Sequence, residues 1–191
     1  MRALEEKIVN EGLVLEGNVL KVGSFLNQKI DTCFAVEMAQ EIVRLFADAH
    51  INKVLTIESS GIAIGFAVAS QLGVPMVFVK KSHSSNQSGN MLTSHIHSYT
   101  HSVDYTASVC ADYLTSDDSV LIVDDFLANG EALRGLIEIV EKAGATLAGC
   151  AVQIEKGFQG GGDALRREGV RVESLAIIDK MSADEGITFR V

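Results

Sequence analysis

The apolar and polar positions of this chain follow a repeating strand and helix rhythm. Residues 1–11 place apolar side chains at helical spacing and stop at Gly12, which predicts a short amphipathic helix. Behind Asp31, the residues Phe34, Met38, Ile42, Leu45 and Phe46 recur every three or four positions. They predict a long helix over 31–49 with Asp31 as its N-cap. The run KVLTIE (53–58) predicts a buried strand, and Ser59, Ser60 and Gly61 turn the chain. Residues 62–72 predict a small apolar helix stopped at Gly73, and PMVFVK (75–80) the next buried strand.

A second unit repeats the pattern. SVLIV (119–123) predicts a strand and 124–130 a loop. Residues 131–143 predict a helix carrying Leu133, Leu136, Ile137 and Val140 and closed by Gly144, and 145–154 a further strand. Two βαβ units with continuously apolar strands imply an α/β fold with a parallel sheet covered on both faces. Residues 95–109 alternate weakly, as an antiparallel pair would. Residues 171–178 and 187–191 predict two more strands, forming a separate small element. The segment KSHSSNQSGN (81–90) reads as a surface loop by composition. Its length also suits an active-site lid.

With 191 residues and 47% apolar content, the chain suits one domain with a core of its own. Its formal charge is −9, from 25 acids and 16 bases, which disfavours nucleic acid as a partner. A small polyanion would need local devices such as backbone amides, a metal ion or a few lysines. Cys33, Cys110 and Cys150 are too few and too scattered for a disulfide framework or a metal pattern. The longest apolar run, 62–69, is far short of the roughly 20 residues of a membrane helix. The N-terminus is polar, unlike a signal peptide, and the expected setting is the cytoplasm.

In open parallel sheets, ligands sit beyond the carboxyl ends of the strands, so the loops after Ile57 and Val123 are the places for chemistry. VLIVDDFLANGEAL (120–133) carries the strongest signal. Four apolar residues lead into Asp124 and Asp125, and Gly130 follows at the mouth of a helix. Unpaired N–H groups and the positive helix end can cradle a phosphate, while carboxylates hold hydroxyls or a metal. Gly130 lets backbone approach a ligand closely. The bland alternative is that the two acids merely cap the helix. His95, His97 and His101 raise the idea of a metal site. Their alternation instead places them on one face of an exposed strand, with no acid or Cys to complete a ligand set.

That segment resembles the phosphoribosyl-pyrophosphate (PRPP) signature of type I phosphoribosyltransferases. Its tail DDFLANG is similar to the xanthine phosphoribosyltransferase branch of the family. Asn129 departs from the Thr or Ser of most members, and its amide can donate where their hydroxyl would. Three further segments match the branch in order: LKVGSFLNQKID (20–31) its base-recognition segment, IESSGIA (57–63) its pyrophosphate loop, and VQIEKGFQ (152–159) its C-terminal base-binding strand.

The resemblance implies the type I phosphoribosyltransferase fold, a mostly parallel central sheet flanked by helices. A small hood would come from about 1–30 and 155–191, and a flexible loop from about 80–91. It implies that Asp124 and Asp125 hold the ribose hydroxyls of PRPP. Ala128, Asn129, Gly130, Glu131 and Ala132 would take the 5′-phosphate. Glu58, Ser59, Ser60 and Gly61 would face the pyrophosphate, with Lys80 or Lys81 reaching it. Leu20, Asn27 and Lys156 would contact xanthine. Mg²⁺ would arrive with PRPP, and the protein would be a homodimer. Two other readings share these features: another purine phosphoribosyltransferase, for guanine, hypoxanthine or adenine, and a purine regulator that binds PRPP without chemistry. The regulator reading lacks a basic recognition helix in the first 50 residues.

Overall fold

The computed structural model of the protein describes residues 1–82, 90–98, 103–182 and 184–190. Helix α1 (Arg2–Glu11) leads into a ribbon of β1 (Leu13–Leu15) and β2 (Val19–Lys21), then a π-helical turn at Gly23–Asn27. The first βαβ unit comprises α2 (Thr32–Leu45), β3 (Lys53–Ile57), α3 (Gly61–Leu72) and β4 (Met76–Ser82). Strands β5 (Met91–Ser98) and β6 (Val103–Cys110) follow. The second unit is β7 (Ser119–Leu127), α4 (Glu131–Lys142) and β8 (Thr146–Lys156). Helix α5 (Gly161–Arg167), β9 (Val172–Ser182) and β10 (Gly186–Phe189) close the chain.

Among the described residues the main sheet has the strand order β10-β9-β8-β7-β3-β4-β6-β5. β4, β3, β7, β8 and β9 run parallel, and β10, β6 and β5 pair antiparallel at the flanks. Alternation along β7 feeds two cores. Leu121 and Val123 pack with α2 and α3, while Val120 and Ile122 pack with α4. Leu121 and Ile122 are fully buried, and each such side chain contributes about 1.5–3 kcal/mol. The β7 platform that carries the acids is therefore anchored from both faces.

Asp31 caps α2 as expected, its carboxylate accepting from Phe34 N at 3.1 Å. The helix ends at Leu45, short of 49, for a tertiary reason. Phe46 is buried against Gly149, and the Arg171 guanidinium lies 4.5 Å from its ring. Arg171 also donates to Leu45 O and to the Asp48 carboxylate, and so fastens the turn.

Three other expectations are corrected. β7 does not stop at Val123; its pairing with β8 continues through Asp124↔Val152, Phe126↔Ile154 and Leu127↔Glu155. Nor do the last two strands stand apart. β9 extends the main sheet in parallel with β8 as far as Lys156↔Ile178, and β10 folds back on β9. The expected 80–91 loop is narrower, because Lys80 and Lys81 belong to β4 and Met91 starts β5. Its middle, 83–89, lies outside the described residues, as does His101. His95 and His97 are exposed on β5, beside Thr106 and Asp104 respectively.

Candidate active site at the carboxyl edge of the sheet

Asp124 and Asp125 lie within β7 and are buried, at 5% and 6% exposure, so they are part of the packed edge and not loop carboxylates. They do not cap α4, whose N-cap is Gly130 with no side-chain cap bond. The two acids have different surroundings. Asp124 Oδ1 accepts from the Asp125 backbone N at 2.9 Å. Burial, reinforced by the neighbouring Asp125 charge, holds the Asp124 carboxyl well above the usual carboxylate range. Asp125 is bonded at both oxygens. Ser60 Oγ donates to Oδ1 at 2.9 Å and Asn27 Nδ2 to Oδ2 at 3.3 Å.

The turn after β3 brings Glu58, Ser59, Ser60 and Gly61 to the same edge, and the Glu58–Ser59 peptide is cis. Gly61 is required by contact: a Cβ there would lie 2.2 Å from Thr56 Oγ1 and 2.8 Å from Asp124 Oδ1. Glu58 does not project freely, because its Oε1 accepts from Lys81 N at 2.6 Å. That bond ties the turn to β4.

Strand alternation separates the two candidate lysines. Lys80 lines an open groove of about 640 Å³ together with Phe78, Cys110 and Tyr113. Lys81 Nζ lies 5.2 Å from the Tyr105 ring centre, and its charge acts on Asp124. Tyr105 closes that side. Burial, then the Asp124 charge, pushes its phenol up to about 12.

Ala128, Asn129, Gly130, Glu131 and Ala132 form the bend between β7 and α4. Gly130 has φ 91°, a conformation that a side chain would strain. Without a side-chain cap, the first-turn amides of α4 face outward with the positive helix end. This is an anion cradle by construction.

The base-side candidates divide. Lys156 ends β8, donates from Nζ to Asn18 O at 2.9 Å, and sits 5.8 Å from the Phe126 ring centre. Burial lowers its pKa. Asn18, with φ 61°, is the tip residue of the β1–β2 ribbon, so this bond joins the ribbon to the sheet. Asn27 is exposed and reaches Asp125. The Leu20 side chain is core, buried at 7% exposure, which leaves its backbone as the part that can meet a ligand.

Sequence reasoning missed Phe126, Tyr105 and Asn18. Phe126 was legible in principle, since it directly follows the two acids at the carboxyl end of a central strand. Tyr105 and Asn18 arrive only through strand pairing and a turn.

An edge that joins an anion cradle, paired acids, a hydroxyl-bearing turn with a lysine, and the donors Lys156 and Asn27 suits a phosphorylated sugar with a second anionic group beside a flat heterocycle. The phosphoribosyl transferase domain matches residues 34–162, and the chain belongs to the phosphoribosyltransferase family. Its full-length relatives carry a more particular name. The chain is 50% identical to the xanthine phosphoribosyltransferase of Bifidobacterium longum, covering 100% of both chains. It is also 50% identical to that of Heliobacterium modesticaldum, over 95% of this chain and 96% of the relative. Among solved structures, the adenine phosphoribosyltransferase of Giardia lamblia complexed with 9-deazaadenine shares the fold. Its TM-score is 0.76 at 24% identity, covering 91% of this chain and 96% of that one.

Proposed function

We propose that this chain transfers the phosphoribosyl group of PRPP to N9 of xanthine, giving xanthosine monophosphate and pyrophosphate. The C1–O bond to pyrophosphate breaks, the C1–N9 bond forms, and the N9 proton is lost. The observation that carries the reading is Asp125, gripped by Ser60 of the turn after β3 and by Asn27 of the base segment. One carboxylate thus links the surfaces for the leaving group, the ribose and the base. The 50% identity to xanthine phosphoribosyltransferases along the whole chain supports the choice of base.

The residues act by placement and charge, with no nucleophilic side chain. The 128–132 bend takes the 5′-phosphate on backbone amides. Asp125 orients the ribose hydroxyls, while Asp124 braces the strand end through the Asp125 amide. Ser59, Ser60 and Gly61 meet the pyrophosphate, and Lys81 adds positive charge on that side. Lys156, which only donates, favours the oxygens of xanthine, and Asn27 both donates and accepts. An exocyclic amine facing Lys156 is left unpaired at a cost of about 1–3 kcal/mol, so adenine is rejected.

Mg²⁺ fits this edge as a companion of the substrate, since phosphate oxygens and carboxylates are its preferred donors. Among the described residues no group of three His, Cys, Asp or Glu side chains could hold a metal ion unaided. When bound, the ion offsets the charge of the leaving pyrophosphate.

No helix among the described residues is long and apolar enough to cross a membrane. Cytoplasmic location and a homodimer belong to the same proposal. The dimer is supported by the family resemblance and by exposed Phe78 and Tyr113 on the open groove beside β4. Sedimentation at micromolar concentration reads the dimer, and a monomer mass alone rejects it. Incubation with PRPP, Mg²⁺ and xanthine tests the activity: xanthosine monophosphate should accumulate with equimolar pyrophosphate, and hydrolysis of PRPP alone rejects the reading.

A further inference from the structure

Glu155 is fully buried at the end of β8, immediately before Lys156. A buried carboxylate requires a partner, and this one has Arg166 as a two-pronged donor. Nη1 reaches Oε1 at 2.9 Å and Nη2 reaches Oε2 at 2.6 Å, while Ser174 Oγ also donates to Oε2. Arg166 is further held by Val172 O through Nε at 3.1 Å. On the same face of α5, Asp163 accepts from Arg166 Nη1 at 3.3 Å and from Arg190 Nη1 at 2.8 Å, and Arg190 Nε donates to Asp179 at 3.0 Å. A helix of seven residues is thus fixed to β8, β9 and the segment after β10.

The opposite end of that helix touches the 128–132 bend. Gly161 N donates to Ala128 O at 3.2 Å. A Cβ on Gly161 would lie 2.3 Å from Ala128 O, 2.4 Å from Asn129 C and 2.6 Å from Gly130 N. A Cβ on Gly162 would lie 2.1 Å from Glu155 Oε1. Two consecutive glycines therefore let backbone wedge between the bend and the buried carboxylate, with no slack on either side.

We propose that α5 is a positioning strut: the Glu155–Arg166 pair, acting through Gly161, holds the Ala128–Gly130 backbone in the shape that receives the 5′-phosphate. The proposal rests on the phosphoribosyltransferase reading of that bend. It adds that the strand end presenting Lys156 to the base also anchors, one residue earlier, the support of the phosphate site. Glu155 and Arg166 are positioning residues and touch no substrate.

Arg166→Lys tests the pair, since it keeps the charge and loses the two-pronged grip. Gly161→Ala tests the wedge without altering any charge. Ribose 5-phosphate, pyrophosphate and PRPP with Mg²⁺ are titrated into wild type and each variant, with thermal unfolding as a fold control. Both variants should weaken ribose 5-phosphate and PRPP by about 10- to 100-fold while pyrophosphate binding and the xanthine KM stay within about twofold. If the folded variants bind ribose 5-phosphate as wild type does, the strut is wrong. If all ligands weaken together with a falling Tm, the pair is only structural and the proposal is equally wrong. If one variant fails to fold, the other decides by the same criteria, and if neither folds the pair and the wedge are structural and the proposal fails. Wild type that binds no PRPP rejects instead the reading of the bend itself.

Discussion

Asn27 donates to Asp125 across 98 residues of sequence, joining the exposed turn after β2 to the buried end of β7 at 3.3 Å. Through this bond a carboxylate assigned to the ribose senses a residue assigned to the base. Asp125→Asn removes the acceptor charge for Ser60 and Asn27 and, in the proposed reaction, for the ribose hydroxyls. Charge-assisted bonds of this kind contribute about 1.5–3 kcal/mol, so kcat/KM should fall about 10- to 100-fold or more. The xanthine KM should rise as well, because Asn27 loses its anchor. Steady-state kinetics with each substrate varied in turn separates the two effects, and an unchanged xanthine KM would break the proposed link.

In the proposed reaction Lys156 reads the base. Lys156→Met should cut kcat/KM for xanthine far more than it changes PRPP affinity, since the proposed PRPP contacts lie on other elements. Burial lowers the lysine pKa, so its charge is lost at a lower pH than that of an exposed lysine. The xanthine KM should therefore climb on the alkaline side in wild type, and that limb should vanish in Lys156→Met. Equal loss of donor binding would move Lys156 out of the base site.

Asp124 supplies a pH signature of stability. Its folded pKa lies well above the unfolded value of about 3.8, because burial and the Asp125 charge disfavour the anion. The native state therefore binds more protons across that interval. Its contribution is full below the unfolded pKa and is lost as pH rises through the folded value. Wild-type denaturant midpoints should fall along that climb, and Asp124→Asn should flatten the curve. A variant that follows the wild-type slope would assign the pH dependence to another group.

Much of this was legible along the chain, and the failures share one cause. The Asp31 cap and the VLIVDDFLANG segment were readable because each is local: a cap needs three residues, a strand-turn-helix about a dozen. The extent of β7 was not readable, because Asp124 and Asp125 stay in the strand only by pairing with β8. The fate of the last two strands depended on β9 finding β8, again at long range. The choice between Lys80 and Lys81 needed to know which face of β4 meets Tyr105. The Glu155–Arg166 pair was invisible for the same reason, since α5 and β9 must fold before the two side chains meet.

That choice of lysine is open to direct test. Lys81→Met should raise the PRPP KM by about tenfold, as expected for removal of one charged contact to an anion. Lys80→Met, whose side chain lines the separate groove, should leave it within about twofold. The reverse ranking would place the groove, and not the Tyr105 side, next to the pyrophosphate.

Lys156 at the β8 end and Asn27 of the turn after β2 are proposed to select an oxygen-rich purine for transfer from PRPP. The direct measurement is kcat/KM for xanthine, guanine, hypoxanthine and adenine, with PRPP and Mg²⁺ saturating and nucleotide formation followed for each. Xanthine should rank first, and adenine should give no detectable nucleotide. Adenine turned over as well as xanthine, or no nucleotide from any of the four, would contradict the proposal.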